Sequence, residues 1–347
     1  MTLAVRYLAA RTLDTAPAEN PPPGPGQVEI APAYVGICGT DLHIFHGDMD
    51  ARVAVPAVLG HEMSGRIVRV GAGVEGWSPG DAVTVMPLRW DDTCPACQAG
   101  HQHICQHLDF IGIDSPGAMQ QRWTVPATTL VRLPGSLPLD HAALVEPTAV
   151  AVHDVGRAQV RDGEKAVVVG GGPVGILIAL VARAAGADVR VVEPSPHRRR
   201  LAEELGLATW DPGADDMPEL VRQWTGDAGA DVAFEVSGAQ GGVDTAVEVL
   251  RVRGRLCLVA IHARPREVNL HRFFWRELTL VGARLYDHAD FERAVTLVAD
   301  GTVPAERMIS KVVPLTEAPA AFEALEGGGD VMKILVECTD DAQGAVL

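Results

Sequence analysis

The sequence predicts an α/β protein of two domains, a β-rich unit followed by a doubly wound parallel sheet. Three observations predict it. The chain has 347 residues, too many for one ordinary core. Its first part consists of short apolar runs broken by Gly and Pro. From about residue 151, strand-like and helix-like runs alternate instead. We expect one domain over 1–150 and 288–347, with the other inserted over 151–287.

The first part contains "QVEIAPAYVGI", "SGRIVRVGAGV", "DAVTVMPL" and "RWTVPATTLVRLP", all strand-and-turn patterns. "ENPPPGPGQ" is a loop, because Pro removes backbone donors and Gly permits turns. "KAVVVGGGPVG" then reads as a buried strand entering a Gly-rich turn. "GILIALVARAAG" has helical spacing and stops at Gly186, a suitable C-cap. "DVRVVEP", "PHRRRLAEELG", "ADVAFEVSG", "GVDTAVEVLRVRG" and "RLCLVAI" continue the alternation. "HADFERAVTLVADG" and "LTEAPAAFEALEGG" are amphipathic helices, and "KILVE" is a closing strand.

A net charge of −16 argues against nucleic acid as a partner. No apolar run reaches the ~18 residues a membrane helix needs, and Arg6 and Arg11 interrupt the N-terminal stretch where a signal peptide would be apolar. We expect a cytoplasmic protein with no membrane partner. Six cysteines are too few for a disulfide scaffold. Cys257 and Cys338 lie in apolar runs and read as buried small hydrophobes.

Gly170, Gly172 and Gly175 stand in G-x-G-x-x-G spacing between an apolar strand and a helix. Each has a physical task. Gly170 makes the tight turn, Gly172 lets backbone approach a pyrophosphate, and Gly175 lets helix and strand pack closely. The helix opening at Pro173 and Val174 offers free N–H groups and a partial positive charge to that anion. This is the Rossmann dinucleotide pattern. Glu193 ends the next strand, 18 residues after Gly175. A carboxylate there accepts the ribose hydroxyls of NAD and repels the 2′-phosphate of NADP. "HRRR" at 197–200 is the contrary hint, a set of cations able to hold a phosphate. We read it as the exposed first turns of a helix, with Arg198 lying along the adenosine. Ser237 is a further cofactor-binding candidate.

Two groups of residues have metal-ligand chemistry. "VGICGTDLHIFHGD" offers the thiolate of Cys38, and "VLGHEMSGRIV" offers His61 and Glu62. Three such ligands and an open position are how catalytic zinc is built. Adjacent His61 and Glu62 can share an ion only on irregular backbone, which Gly60 permits. Glu146 in "ALVEPTAVAV" is a fourth candidate. Separately, Cys94, Cys97 and Cys105 look like a metal knuckle short of one ligand.

Several of these motifs occur in one order: "GICGTDLHIFHG", "GHEMSGRIVRVGAGV", "GDAVTV", the cysteine knuckle, "VEPTAVAVH", "GGGPVG" and "VMKILVE". In this the chain resembles, over essentially its whole length, the zinc-dependent medium-chain alcohol dehydrogenase family, particularly its polyol, butanediol and threonine dehydrogenase branch. The resemblance implies a GroES-like catalytic domain beside the Rossmann domain. It implies that Cys38, His61 and Glu62 bind catalytic zinc, with Glu146 as fourth ligand directly or through water. It carries the family's proton relay over to Thr40 and His43. It implies a structural zinc in the knuckle, where the family spacing C-x2-C-x2-C-x7-C puts Asp91 in place of the first Cys. Asp92, His101 or His103 are alternative ligands if the loop shifts. The implied reaction is NAD-linked oxidation of a secondary alcohol (a diol, polyol or sugar alcohol) to a ketone. Threonine dehydrogenase activity is the close alternative, and a zinc-free quinone or enone reductase the more distant one. "GRLCLVAI" and "LTLVGARL" are strands able to pair across a two-fold axis, so a homodimer or homotetramer is expected.

Overall fold

The computed structural model describes residues 2–326 and 331–339. Residues 327–330 and 340–347 of the expected first domain lie outside the described residues, as does Met1. The chain divides into two compact units. One comprises the described residues through Glu146, Asp287–Gly301, and those from Ala305 onward. The other comprises Pro147–Tyr286 with Thr302–Pro304.

The first unit is β-rich. Its main sheet runs in the order Leu130–Arg132, Ala82–Val85, Glu62–Val70, Gln27–Gly36, Lys333–Glu337 and Ile309–Pro314, and Trp123–Pro126 also pairs with Gln27–Gly36. Apolar side chains of the central strands, among them Val28, Ile30, Val35, Met63 and Ile67, are buried and form the core. Register matters here for function. Gly36 stands opposite Glu62 on one side and Leu335 on the other, so three strand ends converge. A Cβ at Gly36 would run into the Glu62 carboxylate and come within 3.2 Å of Lys333 Cε. Glycine is therefore required for space, not for its backbone freedom.

The second unit holds a six-stranded, wholly parallel sheet in the order Ala208–Trp210, Asp188–Val192, Lys165–Val169, Ala230–Glu235, Leu250–Leu258, Thr279–Gly282. Parallel strands need crossover helices, which cover both faces and require near-continuous apolar strands. Ala166, Val167, Val168 and Val169 accordingly are all buried. The helix Pro173–Ala184 is buried from Gly175 through Ala182, as its apolar circumference demands. The strand order reverses between Lys165–Val169 and Ala230–Glu235, the switch point where dinucleotides bind in such sheets. Leu250–Leu258 is flanked on both sides within the sheet, so of the two strands expected at a two-fold axis only Thr279–Gly282 is an edge. No helix among the described residues is long and apolar enough to cross a membrane.

Candidate active site

Cys38 is the N-cap of the short helix Gly39–Phe45, and its sulfur accepts the Thr40 N–H at 3.1 Å. Asp41 closes the capping box by accepting the Cys38 N–H at 2.9 Å. The cap therefore places a thiol and a fully buried carboxylate side by side. His61 arrives from irregular backbone. Gly60 before it has φ of +94°, and a Cβ there would come within 2.7 Å of Val35 Cγ1 and 2.8 Å of Met119 Cγ. The imidazole packs edge-on against Phe110 with ring centroids 5.1 Å apart. Donor atoms of Cys38, Asp41 and His61 all lie within 4.8 Å of one another.

Of the four residues expected at this metal, Cys38 and His61 thus come together. Glu62 lies beside them but is held by Lys333, whose Nζ pairs with its carboxylate and donates to the Ile37 carbonyl at 3.2 Å. Both partners are buried. Glu146, buried near the start of the helix Val145–Arg157, directs its negative charge at the same pocket. Burial alone would lower the His61 pKa, but Cys38, Asp41 and Glu146 outweigh it and hold His61 well above its ordinary value. Lys333 is raised despite burial for the same reason, through Glu62, Cys38 and Glu146. Burial pushes Asp41 upward. The pocket thus concentrates negative charge that a divalent cation would neutralise.

The donor set suits zinc: one soft sulfur, one imidazole, and carboxylates within reach. Among the described residues, Asp41 Oδ1 and His61 Nδ1 are buried without a hydrogen-bond partner, and they lie 3.7 Å apart. Unsatisfied buried polar atoms of this kind are what an ion or a reoriented ligand would satisfy. Thr40 and His43 lie three residues apart on the Gly39–Phe45 helix and so share a face. His43 Nδ1 is 3.1 Å from Asp48 Oδ2, which fixes the ring.

The knuckle is built differently. Donor atoms of Asp91, Cys94, Cys97 and Cys105 lie within 4.8 Å of one another. Cys94 and Cys105 sulfurs are 3.8 Å apart, the spacing of two tetrahedral zinc ligands at ~2.3 Å each. Cys94 caps the turn Pro95–Gln98, accepting N–H bonds from Cys97 at 3.5 Å and Gln106 at 3.4 Å. Those N–H groups lower the Cys94 pKa, while burial pushes Cys97 up to about 12. Asp91 Oδ1 accepts the N–H groups of Thr93 and Cys94, each at 2.9 Å, and Oδ2 lies 2.5 Å from His107 Nδ1. The Cys94 N–H, then His107 and Thr93, hold its carboxyl well below the usual range. Asp92, His101 and His103 are not in the group.

At the glycine turn, Gly170 has φ of +113°, and a Cβ there would sit 3.1 Å from the Ser237 nitrogen. A Cβ at Gly175 would strike the Gly170 carbonyl. Gly172 caps the helix with Pro173 and Val174 in its first turn. Glu193 is buried against this turn, its Oε2 accepting the Gly171 N–H at 2.6 Å and Oε1 the Ser195 N–H at 2.8 Å. Arg198 is half-buried, with Nη1 3.9 Å from the position of a Gly172 Cβ. Arg199 instead binds Asp211 at 2.9 Å and the Glu193 and Pro194 carbonyls. Ser237 is tied to Glu235, its hydroxyl donating at 2.5 Å and its N–H at 2.9 Å.

Sequence reasoning missed Asp41, Asp48, Lys333 and His107. Asp41 had a signal, a capping-box spacing after Cys38. So did Lys333, a lone cation inside the apolar run "VMKILVE". The other two pairings depend on loop geometry.

Comparison with known proteins shows the family. A family model for the alcohol dehydrogenase GroES-like domain matches residues 24–135, and one for zinc-binding dehydrogenases matches 173–300. The chain is 47% identical over 335 residues to 2-dehydro-3-deoxy-L-galactonate 5-dehydrogenase of Pseudoalteromonas atlantica, covering 96% of this chain and 98% of that protein. It is 33% identical to sorbitol dehydrogenase of Halalkalibacterium halodurans, over 93% and 95% of the two chains. The crystal structure of 2R,3R-butanediol dehydrogenase from Bacillus subtilis superposes with a TM-score of 0.90 at 31% identity, covering 98% of this chain and 100% of that one. The chain belongs to the zinc-dependent medium-chain alcohol dehydrogenase family. It is an oxidoreductase that takes hydride from a secondary alcohol, leaving a ketone, and uses zinc and a nicotinamide cofactor.

Proposed function

We propose that the first unit is the catalytic domain and the second the dinucleotide-binding domain of an NAD-linked dehydrogenase acting on a hydroxylated sugar acid. The observation that carries the catalytic reading is the meeting of Cys38 and His61 with buried carboxylates around them. Zinc bound by Cys38 and His61, with Glu62 or Glu146 completing the set, would supply Lewis acidity, which brings the pKa of a bound water from 15.7 to ~7. An alcohol responding similarly gains on the order of 12 kcal/mol, at 1.36 kcal/mol per unit, more than any ordinary hydrogen bond supplies.

The chain's own residues do the rest. Thr40 would take up the proton of the substrate hydroxyl while giving up its own hydroxyl proton in the direction of His43, which Asp48 holds and which releases a proton to solvent. Lys333 pairs with the Glu62 carboxylate and holds it in place. Glu193 favours NAD, since its carboxylate repels a 2′-phosphate and Arg199 is already committed to Asp211. A structure from Sinorhizobium meliloti with NADP bound, 31% identical with a TM-score of 0.90 and covering 97% of this chain and 99% of that one, marks the alternative cofactor.

The substrate class rests on the relative of 47% identity, with L-galactonate-5-dehydrogenase of Escherichia coli at 33% identity over 88% and 89% of the chains pointing the same way. Butanediol, sorbitol and threonine oxidation are the alternatives, and the two metal clusters weigh against a zinc-free quinone reductase. Reduction of NAD and NADP should be assayed across 2-dehydro-3-deoxy-L-galactonate, L-galactonate, sorbitol, 2,3-butanediol and threonine. The reading requires the sugar acids to give the highest kcat/KM, with NAD preferred; a preference for threonine or butanediol overturns the substrate class.

We also propose a homo-oligomer built on the edge strand Thr279–Gly282. Leu280 is 47% exposed there, and Leu270, Phe274 and Trp275 on the preceding helix are exposed as well. Light scattering of Leu280→Lys against the parent protein tests it, a smaller assembly being the expected result. Six free cysteines support a reducing, cytoplasmic location.

A further inference from the structure

The loop that follows the helix Gly39–Phe45 carries a cation that the mechanism above does not use. Backbone bonds fold this loop into successive turns. Asp48 N–H donates to the His43 carbonyl at 3.0 Å, and Arg52 and Val53 N–H both donate to the Met49 carbonyl, at 2.8 and 3.0 Å. Val53 is buried and anchors the end of the loop. Arg52 reaches Asp114, with Nε 2.7 Å from Oδ1 and Nη2 2.5 Å from Oδ2. Asp114 is folded back onto Phe110, whose N–H donates to Oδ2 at 2.8 Å and whose carbonyl accepts the Asp114 N–H at 2.9 Å. Phe110 is the residue that packs on His61. A single residue therefore separates the partner of Arg52 from His61.

Asp114 takes only the Nε side of the guanidinium. Nη1 has no hydrogen-bond partner among the described residues, and the Arg52 side chain is 38% exposed, so the end-on Nη1–Nη2 fork is open to a second carboxylate. The ion pair with Asp114 fixes the plane of that fork, as directional recognition of a carboxylate requires. Two other cations on segments that reach this pocket are unsuited. Lys333 is committed to Glu62 and the Ile37 carbonyl. Arg89 pairs with Asp109, which is adjacent to Phe110 on one strand and so points to the opposite face. On a chain of net charge −16, an anionic substrate needs a local cation. In a six-carbon acid oxidised at C5, the carboxylate lies four carbon–carbon bonds from the carbinol, about 5 Å. The cation must then stand beside the metal ligands and not among them. We propose that Arg52 is a specificity-determining residue for a sugar acid: its free Nη1–Nη2 edge binds the substrate carboxylate, and Asp114 positions it. The assignment rests on the sugar-acid reading given above.

The test compares L-galactonate with galactitol, in which CH2OH replaces the carboxylate, on the full-length, zinc-replete protein. Melting temperature is the folding control. The parent protein should show a higher kcat/KM for the acid than for galactitol. Arg52→Met should lower that ratio about a hundred-fold, as loss of a bidentate charge-assisted contact does, mainly through KM for the acid. Arg52→Lys keeps the charge without the fork and should lower the ratio about ten-fold. Should Arg52→Met melt below the assay temperature, Arg52→Lys decides by the same ratio. An ion pair that only braced the loop would lower kcat/KM for acid and polyol alike. A parent protein that does not prefer the acid overturns the sugar-acid reading, and the role of Arg52 with it. A parent protein that prefers the acid, with that preference kept within about two-fold in the variants, overturns the role of Arg52 alone.

Discussion

The two candidate metal clusters of the first unit are assembled in different ways. The knuckle draws its donors from a single stretch, Asp91 to Cys105, and backbone N–H groups within that stretch and just after it, at Gln106 and His107, bond its carboxylate and sulfurs. The Cys38–His61 pocket draws on a helix cap, an irregular segment before a strand, and the remote strand carrying Lys333. Two of its donors also take backbone N–H bonds, from Thr40 and Cys38, but the Glu62 carboxylate is paired by a remote side chain, Lys333. A site meant only to hold a loop is well served by four committed donors. A site that admits substrate needs an open position, and in this pocket one carboxylate, Glu62, is paired with Lys333.

That contrast can be broken experimentally. The largest effect should come from Cys38→Ser, which removes the pocket's one sulfur; turnover is expected to fall by on the order of a thousand-fold or more, while circular dichroism stays unchanged. A loss under ten-fold would place the chemistry elsewhere. Next comes the buried pair. Lys333→Met leaves Glu62 uncompensated and should destabilise the protein by about 3–5 kcal/mol in urea melts, whereas Lys333→Met with Glu62→Gln should recover most of that loss. Equal losses for the single and double variants would show that the pair is not what matters. For the knuckle, Asp91→Ala should weaken zinc retention about ten-fold and Asp91→Cys strengthen it, as read by chelator competition, with kcat within two-fold of the parent in both. A large drop in kcat would erase the distinction between the clusters. The smallest effect is expected of Asp48→Asn, which loosens His43 and should lower kcat only two- to five-fold.

The same contrast explains what could be read in advance. Cysteine spacing is local, so the knuckle was visible in the sequence, and the family spacing added Asp91, which the structure brings to the three sulfurs. The glycine turn was visible for the same reason, and Gly170, Gly172 and Gly175 occupy the turn and helix start expected of them. The parallel sheet was legible because strands buried on both faces are unbroken apolar runs. The Cys38–His61 pocket has no local signature. Its residues lie 23 positions apart, and only the resemblance linked them. Lys333 lies farther still, 271 positions beyond Glu62, and becomes its neighbour through the register at Gly36 and Leu335. Pairing of distant strands is a tertiary fact that no window of sequence contains. The pairing of Glu62 with Lys333 follows from it.

Anomalous diffraction at the zinc edge from zinc-replete crystals tests the central claim most directly. The account requires a peak about 2.3 Å from Cys38 Sγ and about 2.0–2.1 Å from a His61 nitrogen, separate from any peak among Asp91, Cys94, Cys97 and Cys105. Zinc found only in the knuckle, with Cys38 and His61 ordered and turned away from each other in an active enzyme, would contradict it.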